Sequence, residues 1–508
     1  MGSETNGGGS FSAGTGMYAG KTVSMRRVRF FLACVTFLSL SLIYTLARES
    51  LCPFHADPGR ARWRLAGDEP TYLLTAQAIA SGHGEDVSSV IADRTYTNLF
   101  LPFWSINSPG AFTYGSYTRI SCVRFRFDRS ESWGKKQICH GGFLEPLLCA
   151  PLALSQNRPR WKILLLHGLL AALAGSIFVA FAPGGRKTAF LQAAATISIL
   201  GSAPIVFYTA QIYPETIMGI LLAAFIILAG NAKTSLRIAG HVCLFVSLFG
   251  SSRIAGAAFA AEAICLIRAI RERHWDEVAA IILGVVAYLS YHIWRWGNFF
   301  PPNTDEKSPI TPSLLPRGVL RYLFGNSCGM IPLSPVSWAG LMALIPLWMR
   351  RRSERLALPC IVLSLGIALS VAMFPAFRAG RCAAGRYQVA CIWTLLPAVL
   401  VCLGKLDPSS KWFRRLRSAI LLLGPVSLVL AGWLATCPRS WHEYYHPFFK
   451  PRNLQHFYVL LPDFSGRWHV QLAVMLLILS IVTFLPDIIA FSRRIWQRVP
   501  YFQRASQN

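Results

Sequence analysis

Two adjacent acids, Asp68 and Glu69, begin a segment in which apolar residues recur at helical spacing. The positive end of a helix dipole favours ionised carboxylates at this position. An ionised carboxylate there can take the proton of a hydroxyl group or orient a cation. The same pair is also typical of a helix cap, with Asp68 as the capping residue and Glu69 in the first turn. These residues alone leave the catalytic and the capping interpretations open.

A second acid, Glu215, follows Tyr213 and Pro214 at the end of another apolar run. Several arginines also lie at the ends of apolar runs, and a guanidinium can hold a phosphate through bidentate contacts. These arginines are Arg253, Arg378, Arg381 and Arg386. The alternative is that they pair with the acids or with lipid headgroups. If the acids and arginines share one surface, they predict a site for an anionic, lipid-linked substrate.

The composition indicates which elements position these residues. Hydrophobic residues make up 53% of the 508-residue chain and charged residues only 14%, against roughly 25% in soluble domains. Long apolar runs recur between residues 30 and 491, which is typical of a polytopic membrane protein and excludes a soluble enzyme, a disordered chain, collagen and a coiled coil. The 50 Lys and Arg residues, against 23 Asp and Glu, form small clusters between these runs. Because they form no single basic face, we expect no nucleic-acid partner.

The basic clusters follow the positive-inside rule, which places Lys-rich and Arg-rich loops in the cytoplasm. With the N terminus in the cytoplasm, about twelve crossings place every cluster on the cytoplasmic side. The predicted crossings are residues 30–46, 162–182, 188–207, 214–230, 236–250, 254–270, 277–293, 333–349, 356–374, 388–404, 417–436 and 470–490. We therefore predict an all-α polytopic membrane protein with both termini in the cytoplasm.

The predicted domain organisation has a disordered cytoplasmic tail over residues 1–20, a transmembrane domain over 21–490 and a cytoplasmic C-terminal tail over 491–508. A long first outer loop, residues 48–160, carries the acidic motif and amphipathic helices that we expect at the membrane interface. Its apolar stretch 143–154 is short for a span, so we predict an interfacial or re-entrant segment. Cys122 and Cys139 share this loop and can form a disulfide in an oxidising compartment.

The sequence lacks the motifs of nucleotide-dependent and metal-dependent enzymes. It contains no P-loop, GxGxxG, HExxH or GxSxG motif, and no Cys/His spacing typical of zinc. We therefore expect no cofactor and no metal. The alternative is that the outward acids bind a divalent cation.

The segment from Gly67 to Leu73, GDEPTYL, resembles the acidic motif in the first periplasmic loop of bacterial membrane glycosyltransferases of the GT-C superfamily, which are related to the protein mannosyltransferases of glycosyltransferase family 39. Further segments resemble that superfamily in the same order: His140–Pro146 followed by Ala150-Pro151, Ser202–Glu215, Gly329–Pro335 and Gly385–Tyr387. The chain departs from the pattern at two positions. Thr71 stands where many relatives have His, and Glu145 stands where a small or apolar residue is commoner.

The resemblance implies a GT-C-like fold and a membrane glycosyltransferase that moves a sugar from a polyprenyl-phosphate donor to an acceptor hydroxyl, with inversion. The acceptor would be a lipid, a glycan or a protein, and the reaction would occur at the outer face of the cytoplasmic membrane. Asp68 is the implied base, and Glu69 is the other catalytic candidate. The implied donor-phosphate ligands are Arg386, Arg253 and Arg381. The implied acceptor contacts or second acid are Glu215, Tyr213 and His140.

Two other classes of protein remain open from the sequence. A transporter or flippase of lipid-linked sugars requires charged residues near mid-membrane, and the main interior acids are Glu262 and Asp487. A non-catalytic membrane scaffold predicts that the outward acids and arginines do not converge in space.

Overall fold

A computed structural model describes most of the chain, and the described part is mainly helical. The described residues are 15–51, 69–87, 89–90, 104–108, 111–114, 118–124, 137–139, 143–155, 159–296, 312–325, 329–373, 386–436 and 468–498. Asp68, His140, Arg378 and Arg381 lie outside these ranges.

The helices are numbered in chain order. The first group is α1 (Thr15–Leu51), α2 (Glu69–Ala80), α3 (Leu144–Ala153), α4 (Pro159–Phe181), α5 (Arg186–Leu200), α6 (Ala203–Thr209), α7 (Pro214–Ala229) and α8 (Thr234–Leu248). The second group is α9 (Ala255–Arg271), α10 (Trp275–Trp296), α11 (Leu315–Phe324), α12 (Met330–Leu333), α13 (Ser337–Met349), α14 (Ala357–Ala372), α15 (Gln388–Lys405), α16 (Lys411–Thr436) and α17 (Trp468–Arg498).

Six of the described helices are long and apolar enough to cross a membrane. They are α1, α4, α10, α15, α16 and α17. The pair α5 and α6, bent by 66°, brings the total to seven if it forms one span. Large apolar side chains such as Phe30, Leu283 and Val429 lie exposed on these helices, as lipid-facing residues do. The chain is therefore a multi-pass membrane protein.

Each predicted crossing overlaps a described helix, or the bent pair α5 and α6 in the case of 188–207, although several of these helices are short. Helices α7, α8, α13 and α14 have 13 to 16 residues, against about 20 for a straight span. The number of crossings beyond the seven therefore stays a prediction. The helix α3, which covers most of the predicted interfacial stretch, has 10 residues. At about 1.5 Å per residue it cannot cross a bilayer.

The two predicted tails differ from the observed helix ends. Helix α1 begins at Thr15, within the segment 1–20, and helix α17 continues to Arg498, within the segment 491–508.

The segment 48–160, predicted to be the first outer loop, also contains a small antiparallel sheet, which the all-α prediction did not include. Its strands are β1 (Trp104–Ser108), β2 (Ala111–Tyr114), β3 (Thr118–Arg124) and β4 (Gln137–Cys139), in the order 1-2-3-4. In the register of β3 and β4, Cys122 is the Cα partner of Cys139. Directly opposed residues in an antiparallel pair have Cα atoms about 4.5–5.5 Å apart, which is within the range of disulfides. The backbone therefore permits the predicted disulfide.

Helix α15 lies at the centre of the bundle and contacts α5, α7, α13 and α14. Its contact with α7 depends on Gly219, because a Cβ atom there would come within 2.3 Å of the Trp393 ring. Trp393 is fully buried. Helices in lipid associate mainly by close packing, and small residues permit it. Gly219 thus sets how closely the two helices approach.

We expect Gly219→Ala to destabilise the protein by about 1–3 kcal/mol, since the added methyl group overpacks the Trp393 contact. Gly432→Ala is the matched control, because Gly432 also lies inside a helix but has nothing within 4 Å of the position that a Cβ atom would occupy. The control should leave the thermal unfolding temperature in detergent unchanged or raise it, since Ala favours helix. Equal unfolding temperatures for both variants would contradict the proposed role of Gly219.

Candidate active site

The carboxylate of Glu69 is completely buried at the first residue of α2. Arg160, at the start of α4, donates from Nε to Oε1 at 3.1 Å and from Nη2 to Oε1 and Oε2 at 2.9 and 3.0 Å. The backbone N–H of Ile212 donates to Oε1 at 3.0 Å. One carboxylate therefore ties together α2, α4 and the turn that precedes α7.

Local sequence places Glu215 beside this group. Tyr213 is the N-cap of α7 in an extended conformation, and Pro214 occupies the first helical turn, where its missing N–H costs nothing. Glu215 then falls in the first turn, where the helix dipole favours a negative charge. Ile212, which contacts Glu69, lies just before this cap.

Arg386, immediately before α15, pairs with Glu215. Its Nε lies 2.5 Å from Glu215 Oε1, and the two side chains are 8% and 6% exposed. The guanidinium carbon lies 4.4 Å from the centroid of the Tyr213 ring, and Nη2 donates to the Tyr72 hydroxyl at 3.4 Å. Tyr72 belongs to α2, so Arg386 connects the Glu215 pair to the helix that begins with Glu69.

Arg253 is the exposed cation of the group. It lies in the short 3-10 turn Ser252–Ile254 between α8 and α9. Its guanidinium lies over the Tyr387 ring, 4.8 Å from the centroid, and donates to the Tyr387 hydroxyl. The centroid of the Tyr387 ring also lies 5.7 Å from the guanidinium carbon of Arg386. The two arginines thus share one aromatic neighbour, and Arg253 is exposed at the surface.

The predicted site residues that the structure describes come together. Glu69, Tyr213, Glu215, Arg253 and Arg386 are linked through shared neighbours. The observed ion pairs are between the acids and arginines themselves, which is the alternative that the sequence left open for Arg386. The predicted roles of Asp68, His140 and Arg381 lie outside the described residues and stay predictions.

Sequence analysis did not single out Arg160, Tyr72 or Tyr387. The signal for Arg160 was present, because Arg160 ends the segment 48–160, which is predicted to face outward, and arginine prefers the cytoplasmic side. Tyr72 and Tyr387 lie in two of the segments that resemble the GT-C pattern, but no role was assigned to either, since aromatic residues are common at membrane interfaces.

A second charged group lies near the same end of the bundle. Arg295 pairs with Glu85, and the Tyr291 hydroxyl donates to Glu85 Oε1 at 3.2 Å. Burial raises the pKa of the Glu85 carboxyl, and the charge of Arg295 opposes that rise. These contacts fix the turn after α2 against the end of α10.

The two interior acids named for a transport path are both paired. His241 Nδ1 lies 2.7 Å from Glu262 Oε2, and Arg415 Nη2 lies 2.7 Å from Asp487 Oδ2. A charge inside a membrane protein is tolerated when it is compensated in this way.

No protein-family model matches the chain, and no curated protein matches it significantly. The arrangement of charged and aromatic side chains at one end of the bundle is therefore what bears on function.

We expect Arg160→Ala to lower the free energy of unfolding by about 3–5 kcal/mol, because it removes the guanidinium that compensates the buried Glu69 charge. The double variant Glu69→Gln/Arg160→Ala removes that charge and should be more stable than Arg160→Ala alone. Thermal unfolding in detergent measures both effects.

Arg253→Ala is the control, because Arg253 is exposed, and its loss should cost about 1 kcal/mol or less. An Arg160→Ala protein as stable as this control would show that the Glu69 ion pair does not hold the segments together.

Proposed function

We propose that the chain is a membrane glycosyltransferase that moves a sugar from a polyprenyl-phosphate donor to an acceptor hydroxyl. The observation that carries the proposal is the convergence of Glu215, Arg386 and Arg253 beside the helix that begins with Glu69. An acid-rich and arginine-rich group at the ends of membrane helices suits an anionic lipid substrate, whose tail stays in the bilayer.

The reaction would begin with the acceptor hydroxyl. Asp68, by its position in the acidic motif, would take the hydroxyl proton as the oxygen attacks the anomeric carbon. The new carbon–oxygen bond forms as the bond from the anomeric carbon to the donor phosphate breaks. The bonding electrons leave with the polyprenyl phosphate, and the sugar inverts its configuration.

The leaving phosphate carries the negative charge that develops in the transition state, and fixed cations stabilise such charge. Arg253 is exposed and lies over Tyr387, so it would contact the phosphate first. Arg386 is held by Glu215 and Tyr72 and would provide an oriented guanidinium without reorganisation. Arg381 would extend this set.

The contacts of Glu69 favour a positioning role for that residue. Arg160 and the Ile212 N–H occupy its two oxygens, and the side chain is fully buried. An incoming hydroxyl group therefore has no open path to this carboxylate. The base is therefore assigned to Asp68, with Glu69 fixing the start of α2 next to it. Tyr213 and Glu215 would shape the acceptor side together with His140.

The topology belongs to the proposal as well. We place both termini in the cytoplasm, the site at the outer face of the cytoplasmic membrane, and about twelve helices in a GT-C-like bundle. Paired interior acids, Glu262 with His241 and Asp487 with Arg415, support an enzyme over a transport path, since neither presents an uncompensated charge to a substrate.

Purified protein should release sugar from radiolabelled polyprenyl-phosphate sugars in the presence of an acceptor. Asp68→Asn should lower kcat by about 100-fold or more while the protein stays folded, because general-base catalysis typically contributes that much. Arg253→Gln should mainly raise the KM for the donor, since it removes a phosphate contact.

Asp276→Asn is the matched control, because Asp276 also lies in the first turn of a helix but next to a basic cluster at the opposite, predicted cytoplasmic side. It should retain full activity. Full activity of folded Asp68→Asn would remove the assigned base, and binding or translocation of the donor without sugar release would favour a transporter.

An epitope inserted between Asp305 and Glu306 should be reached by antibody in osmotically opened cells with an intact inner membrane, since this segment is predicted to face outward. An epitope inserted between Arg352 and Ser353 should be reached only after permeabilisation, because the basic cluster there is predicted to be cytoplasmic. The reverse pattern would place the candidate site on the cytoplasmic side.

A further inference from the structure

Three potential metal ligands meet in the interior, next to the candidate active site. Glu145 and Cys149 are four residues apart on α3, so they share one face of that helix. His167 lies on α4, which packs against α3. One ligand atom from each residue lies within 4.8 Å of the other two, and all three residues are buried.

The distances within this cluster are close to those of a metal site. His167 Nε2 lies 2.8 Å from Glu145 Oε1, and Cys149 Sγ lies 3.5 Å from the same oxygen. Zinc bonds of about 2.0–2.3 Å in a tetrahedron place neighbouring ligand atoms about 3.3–3.6 Å apart. The two contacts of Glu145 Oε1 therefore lie within about half an ångström of the spacing in a tetrahedral site, and the third spacing is within 4.8 Å.

The histidine–glutamate pair leaves one buried carboxylate oxygen unsatisfied. His167 Nε2 and the Cys149 thiol both lie against Glu145 Oε1, whereas Glu145 Oε2 makes no hydrogen bond among the described residues. His167 and Glu145 are both completely buried. Buried polar groups are normally satisfied, so this oxygen points to a ligand that the pair does not supply.

Charge balance favours a divalent cation. A thiolate and a carboxylate together carry two negative charges, which one divalent ion neutralises in a site with no access to water. Sulfur, nitrogen and oxygen donors in one tetrahedral set are typical of zinc, a borderline-soft ion. This also accounts for Glu145, which departs from the GT-C-like pattern at a position where small or apolar residues are commoner.

We propose that Glu145, Cys149 and His167 bind a zinc ion that fastens α3 to α4. Three protein ligands leave one tetrahedral position for a fourth donor. The site is distinct from the outward acids for which a divalent cation was considered from sequence, and it does not depend on the proposed transferase activity. The zinc ion would hold α3 against α4, and α4 also carries Arg160, the partner of Glu69.

Metal content of the purified, tag-free protein tests the proposal. After incubation with zinc and removal of excess ion, mass spectrometry should find about one zinc ion per chain. Cys149→Ser and His167→Gln should weaken zinc binding by about 10-fold or more. Cys402→Ser is the matched control, because Cys402 is a buried thiol that donates to the Ala343 carbonyl and should leave binding unchanged.

Cobalt substitution provides a second measurement on the unmodified chain. Cobalt(II) in the wild-type protein should show a thiolate-to-metal charge-transfer band, and that band should be absent from Cys149→Ser. If one of these variants fails to fold, Glu145→Gln replaces it in the test, because it keeps the shape of the side chain. Glu145→Gln should also lose zinc. Wild-type protein without zinc and without this band, or zinc binding that survives Cys149→Ser, would overturn the proposal.

Discussion

The buried ion pair between Glu69 and Arg160 is the constraint on which the candidate site depends. A carboxylate without contact to water is costly unless its oxygens are matched by donors, and here Arg160 and the Ile212 N–H provide them. Because these donors come from separate segments, satisfying one charge fixes the start of α2, the start of α4 and the turn before α7 together. Tyr213 and Glu215 follow directly on that turn.

Compensation of buried charge also fixes the other residues at the end of the bundle that is predicted to face outward. Arg386 is compensated by Glu215 and covered by Tyr213, and Arg295 is compensated by Glu85. In lipid the hydrophobic effect does not hold helices together, so packing of small residues and compensated polar contacts must do so. Close approach at Gly219 supplies the first kind of contact, and the ion pairs supply the second. These paired acids and arginines therefore hold the helices together, and their charges are already oriented before a ligand binds.

Position distinguishes the two acids of the acidic motif. Glu69 lies inside the bundle with its oxygens occupied, which suits a residue that positions others. In the proposed mechanism Asp68 then acts on the acceptor while Glu69 holds the helix behind it. The proposed zinc ion at Glu145, Cys149 and His167 would stiffen the same region from the other side, since α4 carries both His167 and Arg160.

The sequence by itself determined that this is a multi-pass helical membrane protein, because apolar runs and composition report directly on the surrounding solvent. It also placed Glu69, Glu215, Arg253 and Arg386 at the ends of helices, since the ends of apolar runs are readable from the pattern. The small sheet in the segment 48–160 was not predicted, although apolar and polar residues alternate in β1, because strands of three to seven residues give only a short pattern.

Only the tertiary structure decided which charges meet. Arg386 finds Glu215 and Arg160 finds Glu69 across separations of 171 and 91 residues, and no local pattern encodes such pairings. The Glu145, Cys149 and His167 cluster escaped sequence analysis for the same reason, because its third ligand lies on the next helix at no recognisable spacing. Helix packing brings these residues together, and the cost of burying unpaired charge selects the partners.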